Sequence, residues 1–135
     1  MKNIDDNKIV SLLKRRIRDL QAVYLFGSVV GDQFSTHSDL DIAVKAGAMI
    51  DPIKRWEIQE ELAVLVGRNV DLLDLVQASL VMKFEVINTG QRIFCGDIDY
   101  IESYETSIFS QYLDFNEIRG LIIDAILERG NVYGD

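Results

Sequence analysis

The sequence predicts an α/β (α+β) domain in which a short sheet of three to four strands is flanked by helices and followed by a helical tail. Short apolar runs bounded by glycine or by acidic residues are typical of buried strands. The segments between these runs place apolar residues at helical spacing instead. The length of 135 residues suits a single domain over 1–135, with a core over about 1–97 and a tail over about 98–130.

Composition limits the classes of function. Apolar residues make up 48% and charged residues 27%, which is typical of a folded globular chain. The 14 Lys and Arg against 22 Asp and Glu give a net charge of −8, which argues against direct nucleic-acid binding because phosphates are repelled. The sequence contains neither an apolar run of membrane-spanning length nor the apolar core of a signal peptide at its N-terminus. We therefore expect a cytoplasmic protein without a membrane partner.

The first third of the chain predicts one helix and two strands. Residues 5–20 carry apolar side chains at helical spacing, with acids at the start that suit a cap. Residues 22–26 form a short apolar run that ends at Gly27, which predicts a buried strand. Residues 40–44 predict a second strand.

The middle of the chain begins with a clear helix start. Asp51 supplies a capping carboxylate and Pro52 occupies the first helical position, so a helix is expected from there to about Val66, with Gly67 as its stop. Residues 70–75 predict a third strand.

The remainder predicts two helices around a candidate edge strand. A helix is expected over 77–89, a fourth strand at the sheet edge over 92–95, and a helical tail over 98–129 that stops at Gly130. One apolar stripe marks the tail: Ile118, Leu121, Ile122, Ala125 and Ile126.

The strongest chemical signal is the pair Asp39 and Asp41. Residues two apart in a strand face the same side at about 6.6 Å, while Leu40 points into the core. A lone pair of acids in a strand is usually a solvated face, but this pair begins a strand directly after a glycine-serine turn. Close carboxylates repel one another unless they share a cation. Their hard oxygens suit Mg²⁺, which also binds substrate phosphates.

Gly27 and Ser28 supply the complementary half of this pattern. Glycine at the end of a buried strand permits a sharp turn and close approach of a ligand. A short helix beginning over 28–33 offers free N–H groups to a phosphate, and the serine hydroxyl adds a donor. A glycine-serine pair alone is a common turn; its position before the two acids makes it informative.

A third acid is expected on the strand over 70–75. Asp71 and Asp74 differ in parity and so face opposite sides of the sheet. Asp71 interrupts a buried run, and a metal partner explains an acid whose burial is otherwise costly. Asp74 fits a capping role at the strand end.

These residues resemble the motif of the nucleotidyltransferase superfamily that includes DNA polymerase beta and kanamycin nucleotidyltransferase. Gly27-Ser28, ten intervening residues, Asp39-Leu40-Asp41 and the acidic strand over 70–75 match that motif in order and spacing. More narrowly, the chain is similar to the minimal nucleotidyltransferase (MNT) antitoxins, the partners of HEPN-domain RNase toxins. The similarity extends to 55–57 in the middle helix.

The resemblance implies a polymerase beta-like fold with a short mixed sheet and a Mg²⁺-dependent nucleotidyltransferase that acts as a protein adenylyltransferase. Asp39, Asp41 and Asp71 are then the catalytic residues and the ligands of two Mg²⁺ ions. Gly27 and Ser28, with the first two acids, bind the nucleotide. ATP is the implied AMP donor and a tyrosine of a cognate HEPN toxin the acceptor, within a hetero-oligomer, so that AMPylation silences the toxin.

One departure concerns the triphosphate. Relatives often carry a basic residue shortly after the glycine-serine pair, whereas 29–31 read Val-Val-Gly here. The grip on phosphate must then come from backbone amides, metals or a distant cation, for which the candidates are Lys45, Arg68 and Arg92.

Two rival functions stay open at this point. One is a transferase for an antibiotic or another small hydroxyl compound; such enzymes generally add a second domain that holds the acceptor, which 135 residues do not accommodate. The other is an antitoxin that acts by binding alone. The retained acids weigh against it, because a purely binding protein gains nothing from clustered carboxylates.

Overall fold

The computed structural model describes residues 4–31 and 38–133, and within them the chain forms four strands and four α-helices. The strands are β1 (Leu20–Phe26), β2 (Leu40–Ala46), β3 (Val70–Asp74) and β4 (Gln91–Cys95). The helices are α1 (Asp6–Arg16), α2 (Pro52–Val66), α3 (Leu80–Thr89) and α4 (Ile98–Tyr133), and a 3-10 turn over Gly27–Val30 follows β1. None of the helices in the described ranges has both the length and the apolar content needed to cross a bilayer.

The strands make one mixed sheet in the order β3-β2-β1-β4. Strand β1 is antiparallel to both β2 and β4, whereas β2 and β3 are parallel. A parallel pair needs a crossover, and α2 provides it. The predicted mixed α/β architecture is therefore confirmed, including the position of the fourth strand at an edge.

Alternation along the strands divides the core between two faces of the sheet. Val23, Leu25, Ile42 and Val44 lie on the face covered by α1 and α2. The other face is smaller, and its buried residues are Ala22, Tyr24, Ala43, Leu75, Val86 and Ile101, the last two from α3 and α4. Each fully buried Val, Leu or Ile stabilises the fold by about 1.5–3 kcal/mol, so both layers of helices contribute.

Helix α2 forms as the sequence predicts. The Asp51 carboxylate accepts hydrogen bonds from the N–H groups of Ile53 and Lys54, each at 3.1 Å. Gly67 ends the helix in the left-handed conformation, with φ of 71°. Both signals act locally, which is why they were readable before the fold was known.

Two predicted helix ends are wrong. The first helix stops at Arg16, not at residue 20, because the chain reverses at Asp19, whose φ is 56°, and Leu20 already belongs to β1. Gly130 does not stop the last helix, which continues to Tyr133. Glycine only weakens a helix interior, by about 1 kcal/mol relative to alanine, and the chain does not turn there.

Candidate functional site

The site begins where β1 ends at Phe26. Gly27 has φ of 73° and starts the 3-10 turn, which Val29 anchors with a buried side chain. A Cβ at Gly27 would overlap Oδ2 of Asp41. Glycine is therefore required twice here, for the left-handed backbone and for the room it leaves to a carboxylate.

Asp39 and Asp41 stand on either side of the first residue of β2. Leu40 and Ile42 are fully buried, whereas Asp39 is exposed and Asp41 is partly buried. Asp41 pairs with Phe26 in the antiparallel register of β1 and β2. This register sets the Asp41 carboxylate beside the glycine-serine turn.

Asp71 lies in register with Asp41 across the parallel pair of β2 and β3. Neighbouring strands are about 4.8 Å apart, so the two carboxylates project from adjacent positions on one face. The expectation that Asp71 is buried was wrong: it is exposed, on a strand that lies at the edge of the sheet. The cost of burial therefore does not explain why an acid occupies this position. The informative feature of Asp71 is its position in register with Asp41.

Asp74 has different surroundings. Its side chain is 3% exposed, and its carboxylate accepts hydrogen bonds from the N–H of Ile50 at 2.8 Å and the N–H of Val76 at 3.0 Å. It pairs with Val44, three positions beyond Asp41, and so falls on the opposite face. The expected capping position at the end of β3 is the one this side chain occupies.

The acids interact electrostatically. Partial burial, followed by the negative charges of Asp71 and Asp39, raises the pKa of Asp41 above its ordinary range. Repulsion of this kind is relieved by a cation, and carboxylate oxygens are the donors that Mg²⁺ prefers. The donor chemistry fits a magnesium ion. Within 4–31 and 38–133, however, no three acidic, His or Cys side chains already stand at ligand spacing.

Two side chains of α2 hold the strand that carries Asp71. The guanidinium of Arg55 donates to the carbonyl of Leu72 at 2.9 Å, and the N–H of Leu72 donates to Oε1 of Gln59, also at 2.9 Å. An edge strand leaves such groups without a strand partner. A surface cavity of about 340 Å³ opens beside these hydrogen bonds, and its lining includes Arg55, Asp71, Asp74 and Gln77.

The contribution of Gln59 was missed from sequence. A polar residue on an amphipathic helix normally faces solvent, and no local signal shows that it reaches a strand edge thirteen residues away. Arg55 lies in the segment 55–57 that shares the family resemblance, but the sequence does not indicate its contact with β3.

The three distant cations proposed for the triphosphate separate in the structure. The guanidinium of Arg68 donates to the carbonyl of Ser38 at 3.3 Å and so lies next to the acids. Lys45 is buried at the other end of β2, where its ammonium donates to Oε1 of Gln21 at 2.7 Å and to the carbonyl of Ala46 at 2.9 Å. Of these two, only Arg68 lies at the end of β2 that carries the acids.

Arg92 is engaged in a structural network. Its guanidinium donates to Oε2 of Glu105 at 2.9 Å, and the hydroxyl of Tyr24 donates to the same oxygen at 2.6 Å. Burial and the Glu105 carboxylate raise the pKa of Tyr24, which stays neutral. The network joins β1, β4 and α4 and commits Arg92 to holding the fold together.

The glycine-serine turn after β1, the two acids at the start of β2 and the facing acid on β3 therefore lie together at one end of the sheet. Residues 7–99 match the polymerase beta nucleotidyltransferase family. This chain belongs to that family.

Individual relatives indicate a narrower class within this family. The chain is 36% identical over 127 residues to the protein adenylyltransferase MntA of Shewanella oneidensis, covering 94% of this chain and 91% of the relative. A crystal structure of a toxin-antitoxin with AMP-PNP contains a chain that is 36% identical, with a TM-score of 0.82 over 92% of this chain and 99% of that one. The MNT antitoxin complex with a tri-AMPylated Shewanella oneidensis HEPN toxin gives 36% identity and a TM-score of 0.75, covering 90% of this chain and 95% of the other. The resemblance to MNT antitoxins is confirmed.

Proposed function

We propose that this chain is an antitoxin that transfers AMP from ATP to a tyrosine hydroxyl of a cognate HEPN-domain RNase toxin and thereby neutralises it. The observation that carries the proposal is the register between Asp41 and Asp71, with Asp39 directly before β2 and Gly27 leaving room for the Asp41 carboxylate. The similarity to MntA, which is named a protein adenylyltransferase, supports AMP transfer as the reaction and a protein as the acceptor.

The roles follow from position. Gly27 and Ser28 line the nucleotide phosphates, because the 3-10 turn exposes backbone at the end of β1. Asp39, Asp41 and Asp71 hold Mg²⁺, two ions in the full site. Bound magnesium supplies neutralisation of the phosphate charge that repels an incoming oxygen.

The transfer forms one bond and breaks one. The tyrosine oxygen bonds to the α-phosphorus of ATP, the bond from that phosphorus to the bridging oxygen breaks, and pyrophosphate leaves. Asp71 accepts the hydroxyl proton, a role that its exposed position allows. Arg68 beside Ser38 supplies the positive charge for the triphosphate that the turn itself lacks.

A tyrosine that carries AMP gains negative charge close to an RNA-binding surface, so the RNA phosphates are repelled. Because the donor is ATP, we also place the reaction in the cytoplasm.

Intact-mass measurement of the toxin tests this proposal. We expect the HEPN toxin, incubated with this protein, ATP and Mg²⁺ and then separated from it, to gain the mass of one or more AMP groups and to stay inactive as an RNase. Chelation of Mg²⁺ should prevent the gain, and Asp39→Asn/Asp41→Asn serves as the matched inactive variant.

An unmodified toxin that recovers its activity on separation would instead identify an antitoxin that acts by binding alone. An unmodified toxin that is never inhibited would favour a small-molecule acceptor.

A further inference from the structure

The second half of α4, residues 113–128, leaves its apolar side chains uncovered; we name it the distal arm. Its eight large apolar residues, from Leu113 to Leu127, are each 41–66% exposed. The first half of the same helix behaves differently, since Ile101 and Ile108 are buried. The change occurs at Tyr112, whose ring stacks on Phe84 of α3 with centroids 3.7 Å apart.

The distal arm is apolar around more than half of its circumference. Ile118, Ile122 and Ile126 are four residues apart and make one row along the helix. A second row, with a spacing of seven, contains Leu113 and Leu127 and lies on another side. A helix with one apolar seam pairs with one neighbour, whereas a helix that is apolar on several sides is normally enclosed by other helices. The pattern therefore indicates a groove between helices as the place for this arm.

Gly120 gives an independent indication. It lies between Leu113 and Leu127 in the second row, and a Cβ built on it would meet nothing within 4 Å. Glycine destabilises a helix interior relative to alanine, and no contact with the described residues 4–31 and 38–133 requires it. A glycine in an apolar row does permit another backbone to approach closely.

Charge selects the kind of occupant. The arm has four acids and one base, a net charge of −3, and the acids share one narrow stripe: Asp114, Glu117, Asp124 and Glu128. A second copy of this chain would bring an equal negative charge to the contact. A partner with basic residues beside an apolar groove is favoured instead, and an RNase that grips RNA phosphates presents such residues.

We propose that the distal arm is the docking element for the toxin: its apolar rows enter a groove between toxin helices, and its acidic stripe faces basic residues at the RNA-binding surface. This inference rests on the proposed function, because that function supplies the partner. It adds a role for a segment that lies beyond the family match over 7–99.

Calorimetric affinity for the purified HEPN toxin tests the proposal. We expect Ile118→Ala/Ile122→Ala to weaken binding more than about 30-fold, as the loss of two buried anchors implies, while the melting temperature of the protein alone is retained. The matched control is Val64→Ala on α2, an apolar residue that is 85% exposed, which should leave the affinity unchanged. Glu117→Gln/Asp124→Asn should weaken binding and reduce its salt dependence.

Gly120→Ala distinguishes close packing of a partner backbone against Gly120 from non-specific apolar contact. Alanine should stabilise the helix, so a surface without tight packing would bind as well as before. We expect the melting temperature to rise and the affinity for the toxin to fall. Unchanged affinity in this variant and in the isoleucine double variant would overturn the proposal.

Other outcomes distinguish this inference from the proposed function. Toxin that is adenylylated at the wild-type rate by the isoleucine variant, with unchanged affinity, overturns the docking role alone. Wild-type protein that binds the toxin through the arm but adds no mass to it overturns the proposed function alone. Sedimentation of the protein without toxin tests whether the arm binds a second copy of the chain instead. If the wild type is a dimer, and the isoleucine variant is a monomer that keeps its affinity for the toxin, the arm is assigned to self-association.

Discussion

The packed body of this molecule differs from its two uncovered regions, the edge that carries the acids and the distal arm, in how polar and apolar side chains are partnered. In the body, Asp74 leaves water and accepts hydrogen bonds from two backbone N–H groups, and Arg92 pairs with Glu105. At the acid edge formed by Asp39, Asp41 and Asp71, like charges face one another, and in the distal arm apolar side chains face solvent. Neither arrangement stabilises the isolated chain. We propose that both become favourable when something else binds, a cation at the edge and a protein at the arm.

This contrast separates the expected effects of mutation. A change in the body should lower stability whether or not the site works. A change at the acid edge or in the distal arm should impair transfer or binding and leave the melting temperature unchanged or higher.

The largest effect is expected at the acid edge. Asp39→Asn/Asp41→Asn should lower transfer about 1000-fold or more, because bound metals contribute several kcal/mol to charge stabilisation and 1.36 kcal/mol corresponds to a factor of ten in rate. Removing mutually repelling carboxylates should not destabilise the metal-free protein. Single-turnover transfer assays and thermal melts measure the two effects, and a loss of both together would contradict the contrast.

The pH dependence sharpens this prediction. The pKa of Asp41 is raised in the folded protein. Asp41 therefore contributes to folding stability below the pKa of an unfolded aspartate, about 3.9. That contribution is lost as the pH rises through the higher pKa of the folded state. Without metal, Asp41→Asn should therefore melt higher than the wild type at pH 7. The difference should shrink on acidification towards about pH 4, and a constant difference would contradict the repulsion.

The two halves of α4 provide the next comparison. Ile101→Ala removes a fully buried side chain and should lower the free energy of unfolding by about 2–5 kcal/mol. Ile122→Ala, on the same helix, should change it by less than about 0.5 kcal/mol, as exposed positions do. Urea denaturation of both variants compares them directly. Equal losses would mean that the distal arm is covered within the isolated protein.

The smallest expected effect distinguishes two aspartates on β3. Asp74→Asn leaves one acceptor oxygen for two N–H donors, so it should reduce the free energy of unfolding by about 1–3 kcal/mol while most of the transfer activity survives. Asp71→Asn should retain stability and lose transfer about 100-fold or more, since a positioned general base contributes about 10²–10⁴-fold. Denaturation and transfer assays on both variants give the ranking. The reverse ranking would indicate that Asp74 is the functional acid.

Interactions between residues close in sequence were sufficient to predict much of the fold. Asp51 and Pro52 start α2 and Gly67 ends it, through contacts within one turn. The alternation around Asp41 and the parity of Asp71 and Asp74 assigned side chains to faces, since a strand repeats every two residues. The glycine-serine turn and the acids that follow it indicate the family from the sequence alone.

Only the tertiary structure decided where those faces meet water. The first helix was predicted too long because Ile17 and Leu20 continue the apolar period, and only pairing of Leu20 in β1 separates them. Lys45 and Arg68 are both candidates for a distant cation, yet Lys45 is buried at the far end of β2 and Arg68 lies beside the acids. Periodicity reports which residues share a side. Whether that side is covered depends on strand order and on helices far away in sequence, which is why the exposure of Asp71 and of the distal arm required the fold.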